Sequence, residues 1–376
     1  MPALLPDIDP DGLLEYSVVF TDRSLNHMSQ AFQDVMRDIS TTMKSVYKAD
    51  AIAIVPGGGT FGMEAVARQL GNDQKCLIIR NGWFSYRWTQ ILEMGRIAAE
   101  TVVLKARPSA DGYQQAFIPA PIEEVVNTIL REKPALVFAP HVETSSGMML
   151  PDEYIKSMAV AVHKVGGLLV LDCIASGAIW VDMKACGVDL LISAPQKGWS
   201  ASPCSAIVMM NAAAKEKVET STSSSFAADL KKWLNIMQTY ENGGHAYHAT
   251  MPTDSLVRFH SAMQETEAYG FERIRNEQAD LGKKVRALLG EKGFKNVAAP
   301  GYEAPGVVVC YTDDPDIHNG KKFLQQGLQI AAGVPLQCDE GEDFRTFRLG
   351  LFGLDKVQDI QRTIHNLEKA LSAIGI

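Results

Sequence analysis

Four apolar residues closed by an aspartate, Leu168-Leu169-Val170-Leu171-Asp172, form the stretch that decides the fold of this chain. The stretch is apolar on both faces, which is typical of a strand buried on both sides in a helix-covered parallel sheet. Further apolar runs follow one another between residues 50 and 210, at 51–55, 76–79, 101–104, 135–139, 190–192 and 206–210. Helical stretches such as 122–131 lie between the runs and can serve as crossovers. We therefore predict an α/β fold around a central, mostly parallel sheet of about seven strands.

The rest of the chain predicts an arm and a smaller C-terminal unit. The first residues are rich in proline and aspartate, which indicates an extended arm over 1–20. Apolar residues at spacings of three and four predict an amphipathic helix over 26–47. Beyond the sheet, helical stretches alternate with a few extended runs and end in a helix over 355–374. The pattern predicts a large domain over 21–255 and a small α+β domain over 256–376.

Composition excludes several classes of function. The chain has 36 Lys and Arg against 44 Asp and Glu, a net charge of −8, which argues against binding to nucleic acid. Its 6 cysteines form no Cys-x-x-Cys pair and no zinc-finger spacing, so we expect reduced thiols in a cytoplasmic protein and no metal site. No apolar run approaches the ~20 residues of a membrane helix, so no membrane association is expected.

Three strand ends carry residues suited to chemistry, because ligands of such sheets bind beyond the carboxyl ends of the strands. Gly57-Gly58-Gly59-Thr60 follows the run 51–55 and precedes a helix, an arrangement that favours an anion such as phosphate. Asp172 closes its run. Lys197 follows the run 190–192 among apolar and small residues, where a lowered pKa would make its amine a nucleophile. Each feature alone has an ordinary alternative, namely a tight turn, a helix cap or metal ligand, and a surface lysine.

Together these features match the needs of one cofactor, pyridoxal 5'-phosphate. A lysine amine can form a Schiff base with its aldehyde, and a carboxylate can keep its pyridine nitrogen protonated. A glycine loop at a helix N-terminus can hold its phosphate.

Six motifs occur in an order that a known family shares. They are GGGTFGME (57–64), NGWF (81–84), HVETSSG (141–147), DCIAS (172–176), SAPQK (193–197) and FRLG (347–350). On these motifs the sequence resembles the class V group of fold-type I pyridoxal-phosphate enzymes from about residue 24 to the end. Within this group it resembles the alanine–glyoxylate, serine–pyruvate and 2-aminoethylphosphonate aminotransferases.

The resemblance implies a role for each matching residue. Lys197 would be the Schiff-base lysine and general acid/base, and Asp172 would pair with the pyridine nitrogen. The other cofactor contacts that it implies are Gly58, Gly59 and Thr60 at the phosphate with Gln196 beside them, Phe84 and Ile174 on the two ring faces, and Thr144 near the ring hydroxyl. Tyr247 and Thr250 would reach the phosphate of the neighbouring subunit, which implies a homodimer with shared active sites. Arg348 would bind the substrate carboxylate.

The implied function is an aminotransferase that moves an amino group from a small amino acid to a 2-oxo acid such as glyoxylate or pyruvate. A 2-aminoethylphosphonate-type transaminase and a class V lyase or desulfurase are the alternatives. Cys338 is the candidate desulfurase thiol, although its acidic neighbours would raise its pKa. Residues 16–21 stand where the family has a Pro-Gly-Pro segment that lines the substrate pocket, so the substrate end departs from the family pattern.

Overall fold

One large sheet organises the molecule, whose computed structural model describes residues 13–376. The strands, in chain order, are β1 (Ala51–Pro56), β2 (Lys75–Arg80), β3 (Glu100–Lys105), β4 (Arg107–Pro108), β5 (Phe117–Ile118), β6 (Leu136–Pro140), β7 (Val142–Glu143), β8 (Met148–Met149), β9 (Leu168–Asp172), β10 (Leu190–Ser193), β11 (Ser205–Met210), β12 (Val307–Tyr311), β13 (Ala331–Ala332) and β14 (Thr346–Gly350). Seven of them form the large sheet, in the order β1-β11-β10-β9-β6-β2-β3.

The predicted α/β fold is confirmed. The apolar runs recognised in the sequence are the strands of the large sheet, to within one or two residues at each end. β11 is antiparallel to its neighbours β1 and β10, and the other neighbouring pairs are parallel. Every residue of β11 is buried, as are all but the first residue of β9. Burial on both faces is the reason that these strands read as continuous apolar runs.

Helices cover this sheet. In chain order they are α1 (Gln30–Tyr47), α2 (Gly59–Leu70), α3 (Trp83–Met94), α4 (Ile122–Glu132), α5 (Asp152–Lys164), α6 (Met183–Cys186), α7 (Ala212–Thr220), α8 (Leu230–Glu241), α9 (Thr253–Tyr269), α10 (Phe271–Glu291), α11 (Pro315–His318), α12 (Lys321–Gln325), α13 (Leu354–Val357) and α14 (Ile360–Ala373). α2 packs on β11, α3 on β2, α5 on β9 and α8 on β1. Among the described helices, none has the length and apolar character needed to cross a membrane.

A second, three-stranded antiparallel sheet with the order β12-β14-β13 lies in the C-terminal part. α10 packs on β12 and on α14. The predicted boundary at 255 falls in the first turn of α9, and the division into 21–255 and 256–376 stays a prediction. Residues 1–12 of the predicted arm lie outside the described residues, and residues 13–20 form neither helix nor strand.

Two predicted helix boundaries are wrong, and capping explains both. α1 begins at Gln30 rather than at 26, because the Ser29 hydroxyl accepts the Phe32 N–H at 3.1 Å and starts the helix there. The helix predicted over 355–374 is two helices, α13 and α14. Asp359 divides them, since its carboxylate accepts the Arg362 N–H at 2.9 Å and caps a new helix.

Candidate active site

One cavity lies where the loops after several strands of the large sheet meet. β1, β2, β6, β9 and β10 run in the same direction, so their carboxyl ends lie at the same end of the sheet. Most of the residues predicted to bind the cofactor line this cavity, namely Gly59, Thr60, Phe84, Thr144, Asp172, Ile174, Gln196 and Lys197. The topology therefore brings together residues that are far apart in the sequence.

The glycine-rich turn after β1 forms one wall of the cavity. Gly57 has φ of 117°, and a Cβ there would lie 2.6 Å from the Phe61 ring, so only glycine fits this turn. Gly59 begins α2, and a Cβ on it would lie 2.3 Å from Cδ1 of Ile174. The first N–H groups of α2, including that of Thr60, have no acceptor within the helix and carry the positive end of its dipole. This wall suits an anion.

Lys197 lines the same cavity and lies near two aromatic rings. Its Nζ is 5.9 Å from the centre of the Phe84 ring and 5.6 Å from the centre of the Phe352 ring. Burial lowers the pKa of the Lys197 amine, and the charge of Asp172 opposes part of that effect. A larger share of the amine is therefore neutral near pH 8 than for a lysine in water, which is the form that acts as nucleophile or base.

Asp172 ends β9 and is only 7% exposed. Its Oδ1 accepts the backbone N–H of Ile174 at 2.9 Å. Burial raises the pKa of Asp172 to about 6, and the Ile174 N–H and the Lys197 charge limit the increase. A cationic group inside the cavity would stabilise the ionised form of this buried carboxyl. Among residues 13–376, no group of three or more His, Cys, Asp or Glu is placed to hold a metal ion.

Two buried polar atoms of the cavity wall have no hydrogen-bond partner. They are Oγ1 of Thr144 and Oε1 of Gln196. Buried polar groups are nearly always hydrogen-bonded, and a group left without a partner costs about 1–3 kcal/mol. Both residues line the cavity, which Lys197 and Asp172 also line. The arrangement is that of a binding site for a polar ligand.

Some predicted residues do not line the cavity. Gly58 is the N-cap of α2 and has open space around it. Tyr247 and Thr250 lie together on a loop, with their hydroxyl oxygens 3.1 Å apart and Tyr247 53% exposed. Their contact with a neighbouring subunit stays a prediction. Arg348 lies on β14, where Nε donates to the carbonyl of Ala332 at 2.7 Å, and its guanidinium carbon is 5.5 Å from the centre of the Phe84 ring.

Arg87 is a cavity residue that the sequence reasoning missed. Its guanidinium donates to Oγ1 of Thr60 at 3.1 Å and lies 4.7 Å from the centre of the Phe84 ring. The signal was available, because residues three apart on a helix share a face, and Arg87 follows Phe84 by three in the first turns of α3. Phe352, on the loop after β14, was also missed and has no signal in the sequence that marks it.

Comparisons with known proteins agree with this geometry. The family model described as aminotransferase class-V matches residues 13–351. A 2-aminoethylphosphonate–pyruvate transaminase of Vibrio vulnificus is 26% identical, over 90% of this chain and 88% of its own length. The soluble hydrogenase small subunit of a Synechococcus species is 23% identical, over 93% of this chain and 88% of its own length.

A solved structure supports the fold. The alanine–glyoxylate aminotransferase of a Nostoc species superposes with a TM-score of 0.75 at 23% identity, covering 93% of this chain and 88% of that one. The family model spans most of the chain, including the turn after β1, the end of β9 and the loop of Lys197. This chain belongs to the class V aminotransferase family.

Proposed function

We propose that the cavity binds pyridoxal 5'-phosphate and that the enzyme moves an amino group from a small amino acid to a 2-oxo acid such as glyoxylate or pyruvate. One observation carries the proposal. Lys197 and Asp172 line the same cavity as the glycine-rich start of α2. An amine, an acid and an anion site on one sheet edge are the three groups that this cofactor requires.

The residues of the cavity fit the cofactor group by group. The N–H groups at the start of α2, with the Arg87 guanidinium beside Thr60, suit its phosphate. The partnerless hydroxyl of Thr144 suits its ring hydroxyl, and the Asp172 carboxyl suits its ring nitrogen. A Cβ on Gly59 would collide with Ile174, so the glycine keeps the turn and the predicted ring face close together.

Bound pyridoxal phosphate supplies an aldehyde that condenses with amines and a ring that withdraws electrons from the substrate α-carbon. Lys197 Nζ would take the α-proton and later return it, a task for which burial favours the neutral amine. An ionised Asp172 would hold the proton on the ring nitrogen by charge pairing. The ring of Phe84 would cover one face and exclude water from it.

Arg348 would select and orient the substrate. A planar guanidinium binds a carboxylate through two parallel hydrogen bonds, which fixes the direction of the α-carbon. Its Nε is already bonded to Ala332, which holds the side chain in one orientation close to Phe84. Burial lowers the pKa of Arg348, but an arginine stays charged at neutral pH.

A 2-aminoethylphosphonate donor is the second candidate. Several curated relatives at 25–26% identity are 2-aminoethylphosphonate–pyruvate transaminases. Arg348 uses its Nε for the carbonyl of Ala332, and the other N–H groups of its guanidinium suit a phosphonate as well as a carboxylate.

A desulfurase is disfavoured. Such chemistry requires an activated thiolate at an accessible position. Cys338 is 4% exposed, its Sγ lies 3.4 Å from the carbonyl oxygen of Arg80, and burial raises the pKa of the thiol to about 12. The thiol is therefore protonated and enclosed at neutral pH.

A homodimer in the cytoplasm completes the proposal. Phe61, Phe226 and Tyr247 expose 57%, 79% and 53% of their surfaces, and exposed aromatic groups of this kind favour an interface between subunits. All six cysteines are free, in keeping with a reducing compartment. Light scattering after size exclusion would test the assembly, and a monomeric mass would contradict it.

Half-reactions test the function directly. The protein is incubated with pyridoxal phosphate, freed of excess cofactor, and mixed with amino acids or aminophosphonates one at a time. The expected result is that one donor class removes the visible absorbance and that glyoxylate or pyruvate restores it. A protein that takes up no cofactor, or a loss of absorbance that no 2-oxo acid reverses, would overturn the proposal.

A further inference from the structure

Glu143 is a completely buried carboxylate next to the cavity, at 0% exposure. Its oxygens accept hydrogen bonds from two residues at the start of α3 and from one in its own loop. They are Phe84 N (3.2 Å), Ser85 N (2.8 Å), Ser85 Oγ (2.7 Å), Ser145 N (3.1 Å) and Ser145 Oγ (2.7 Å). A buried charge is tolerated when its acceptor sites are filled in this way.

These bonds replace a missing helix cap. α3 begins at Trp83, and its N-cap position is Gly82, which has no side chain to accept the first N–H groups. Glu143 accepts those of Phe84 and Ser85, and the Ser145 hydroxyl accepts that of Trp83 at 2.9 Å while bonding to Glu143. The negative charge also suits the positive end of the α3 dipole.

The close approach requires glycine at position 82. A Cβ there would lie 2.0 Å from Ser145 Oγ and 2.8 Å from Cγ of Glu143. Any larger residue would separate α3 from the loop of residues 142–147. The glycine and the carboxylate therefore act as one unit that joins two walls of the cavity.

The two walls carry residues of the proposed cofactor site. Phe84 lies in the first turn of α3, and Thr144 follows Glu143 directly in the chain. The Glu143 charge also acts on the site at a distance, since it raises the pKa of Lys197 and of Arg348 against the lowering by burial. Geometry and charge both connect this carboxylate to the reacting groups.

We propose that Glu143 is a positioning residue whose buried carboxylate ties the N-terminus of α3 to the loop of Thr144 and so sets the spacing between Phe84 and Thr144 that receives the cofactor ring. The inference rests on the proposed function for its consequence, but the hydrogen bonds of the tie join protein groups alone. It gives Glu143 a role in holding the cofactor although the side chain does not line the cavity.

Amide hydrogen exchange of the ligand-free protein tests the tie. In Glu143→Gln the amide presents an NH₂ group where a carboxylate oxygen accepted N–H donors, so the amides of Phe84 and Ser85 should exchange at least tenfold faster than in the wild type. Unchanged exchange of these amides would overturn the proposal. Glu143→Asp keeps the charge on a shorter side chain and should give an intermediate rate.

Asp189→Asn is a matched control. Asp189 is also a buried carboxyl, 2% exposed, but it lies at the amino ends of β9 and β10. It accepts the Leu169 N–H and the Asn211 side-chain N–H at 2.7 Å each. It should lower the overall stability and leave exchange at Phe84 and Ser85 relative to the other protected amides unchanged. The same relative increase in both variants would show a general loosening and overturn the specific tie.

Cofactor binding supplies the second readout. Glu143→Gln should bind pyridoxal phosphate at least tenfold more weakly, alter the visible circular dichroism of the bound cofactor and lower kcat more than it changes KM. Wild-type affinity and dichroism in the variant would contradict the positioning role. If the wild type itself takes up no cofactor, the proposed function fails while the exchange experiment still decides the tie.

Ser145→Ala covers the case in which Glu143→Gln does not fold. It removes the hydroxyl between Trp83 and Glu143 but leaves the bonds of Phe84 and Ser85 in place. Faster exchange at Trp83 with a small loss of cofactor affinity supports the proposal. No change at Trp83 contradicts it.

Discussion

The two ends of the candidate site are built in different ways. At the end proposed to bind the cofactor, called here the cofactor end, each group follows a strand of the large sheet, and strand pairing fixes their register. Asp172, for example, lies beside Ile192 of β10 and Pro140 of β6. At the end proposed to bind the substrate, called here the substrate end, Arg348 lies on the separate three-stranded sheet and Phe352 on the loop after it. The cofactor end is thus fixed by one sheet, and the substrate end depends on how a second sheet meets it.

The segment of residues 16–21, expected from the sequence to lie near the substrate pocket, is also outside the large sheet. Tyr16 and Val18 are fully or almost fully exposed, at 89% and 102%. Farther along, Phe20 contacts His27 at 5.5 Å between ring centres, and His27 lies 5.6 Å from Tyr247. Phe20, near the end of the segment 16–21, is thus connected through His27 to Tyr247, on the loop predicted to cross to a neighbouring subunit. Changes at the cofactor end should act on all substrates, and changes at the substrate end should act on some.

The largest effect is expected at Lys197. Replacing it by alanine removes the amine that moves the proton, and loss of general acid/base and nucleophilic roles costs at least about a thousandfold in rate. We expect no measurable transamination with any donor and no visible absorbance from a Schiff base between the cofactor and residue 197. Lys184→Ala, on a side chain that is 63% exposed, is the control and should behave like the wild type. Normal turnover in Lys197→Ala would break the assignment of the cofactor end.

Asp172 should show that the cofactor end is built for function at the expense of stability. The folded state raises the pKa of Asp172 from 3.8 to about 6, so it binds more protons than the unfolded state between these values and loses stability as the pH rises through them. The loss is ~3 kcal/mol. Asp172→Asn keeps an oxygen for the Ile174 N–H and removes the charge.

Urea unfolding of the ligand-free proteins measures this effect. Asp172→Asn should be more stable than the wild type by roughly 2–3 kcal/mol at pH 8 and by much less near pH 4, where the wild-type carboxyl is protonated in the fold. Its transaminase activity should be lost. The exposed Asp355→Asn is the control, with little change at either pH. Equal stability of Asp172→Asn and wild type at pH 8 would argue against the buried charge.

Most of the cofactor end could be predicted from the sequence, because strand ends are visible as places where an apolar run stops. Asp172 and Lys197 each mark such a place. Glu143 lies inside a recognised motif, but its proposed role depends on its hydrogen bonds to Phe84 and Ser85 of α3. These two residues precede Glu143 in the sequence by 59 and 58 positions. Long-range contacts of this kind have no periodicity that a sequence can reveal.

The substrate end was harder to predict from the sequence, for a physical reason. Arg348 could be identified from its motif, but Phe352 approaches Lys197 only through a tertiary contact between the loop after β14 and the loop after β10. Short ribbons such as β7–β8 also escaped prediction, since two residues are too few to show an alternating pattern. The helix starts at Gln30 and Ile360 depended on which polar residue capped the helix, and the apolar spacing alone did not decide it.

Arg348→Gln should separate the two ends. Loss of a charged, paired hydrogen bond costs ~3 kcal/mol, or about a hundredfold in kcat/KM for donors with a carboxylate. The visible absorbance and the cofactor affinity should stay as in the wild type. Arg345→Gln is a matched control, because Arg345 lies three residues earlier, is exposed, and bonds to the carbonyl of Asp313. A cofactor that dissociates from Arg348→Gln would show that the two ends are not independent.

Phe352 is the place where the substrate end reaches the cofactor end. Its ring packs closely on Gly306, where an added Cβ would lie 3.1 Å from a ring carbon. The ring is held close to Lys197 by the hydrogen bond from Leu354 N to Ser200 Oγ at 2.9 Å. The ring thus excludes water from one side of the Lys197 amine.

Phe352→Leu should have the smallest effect and a diagnostic pH dependence. A smaller side chain admits water, which weakens the burial that lowers the pKa of Lys197 and leaves less neutral amine at pH 8. Uptake of pyridoxal phosphate by the apoprotein, followed by stopped-flow absorbance, should be roughly 2–5-fold slower at pH 8 and should approach the wild-type rate at about pH 11, above the ordinary pKa of a lysine, where the amine is mostly neutral in both proteins. Phe226→Leu, at a residue that is 79% exposed, should match the wild type at both pH values. A rate lowered by the same factor at every pH would mean that Phe352 shapes the site without acting on the proton of Lys197, because only a change in protonation disappears when the amine is neutral in both proteins.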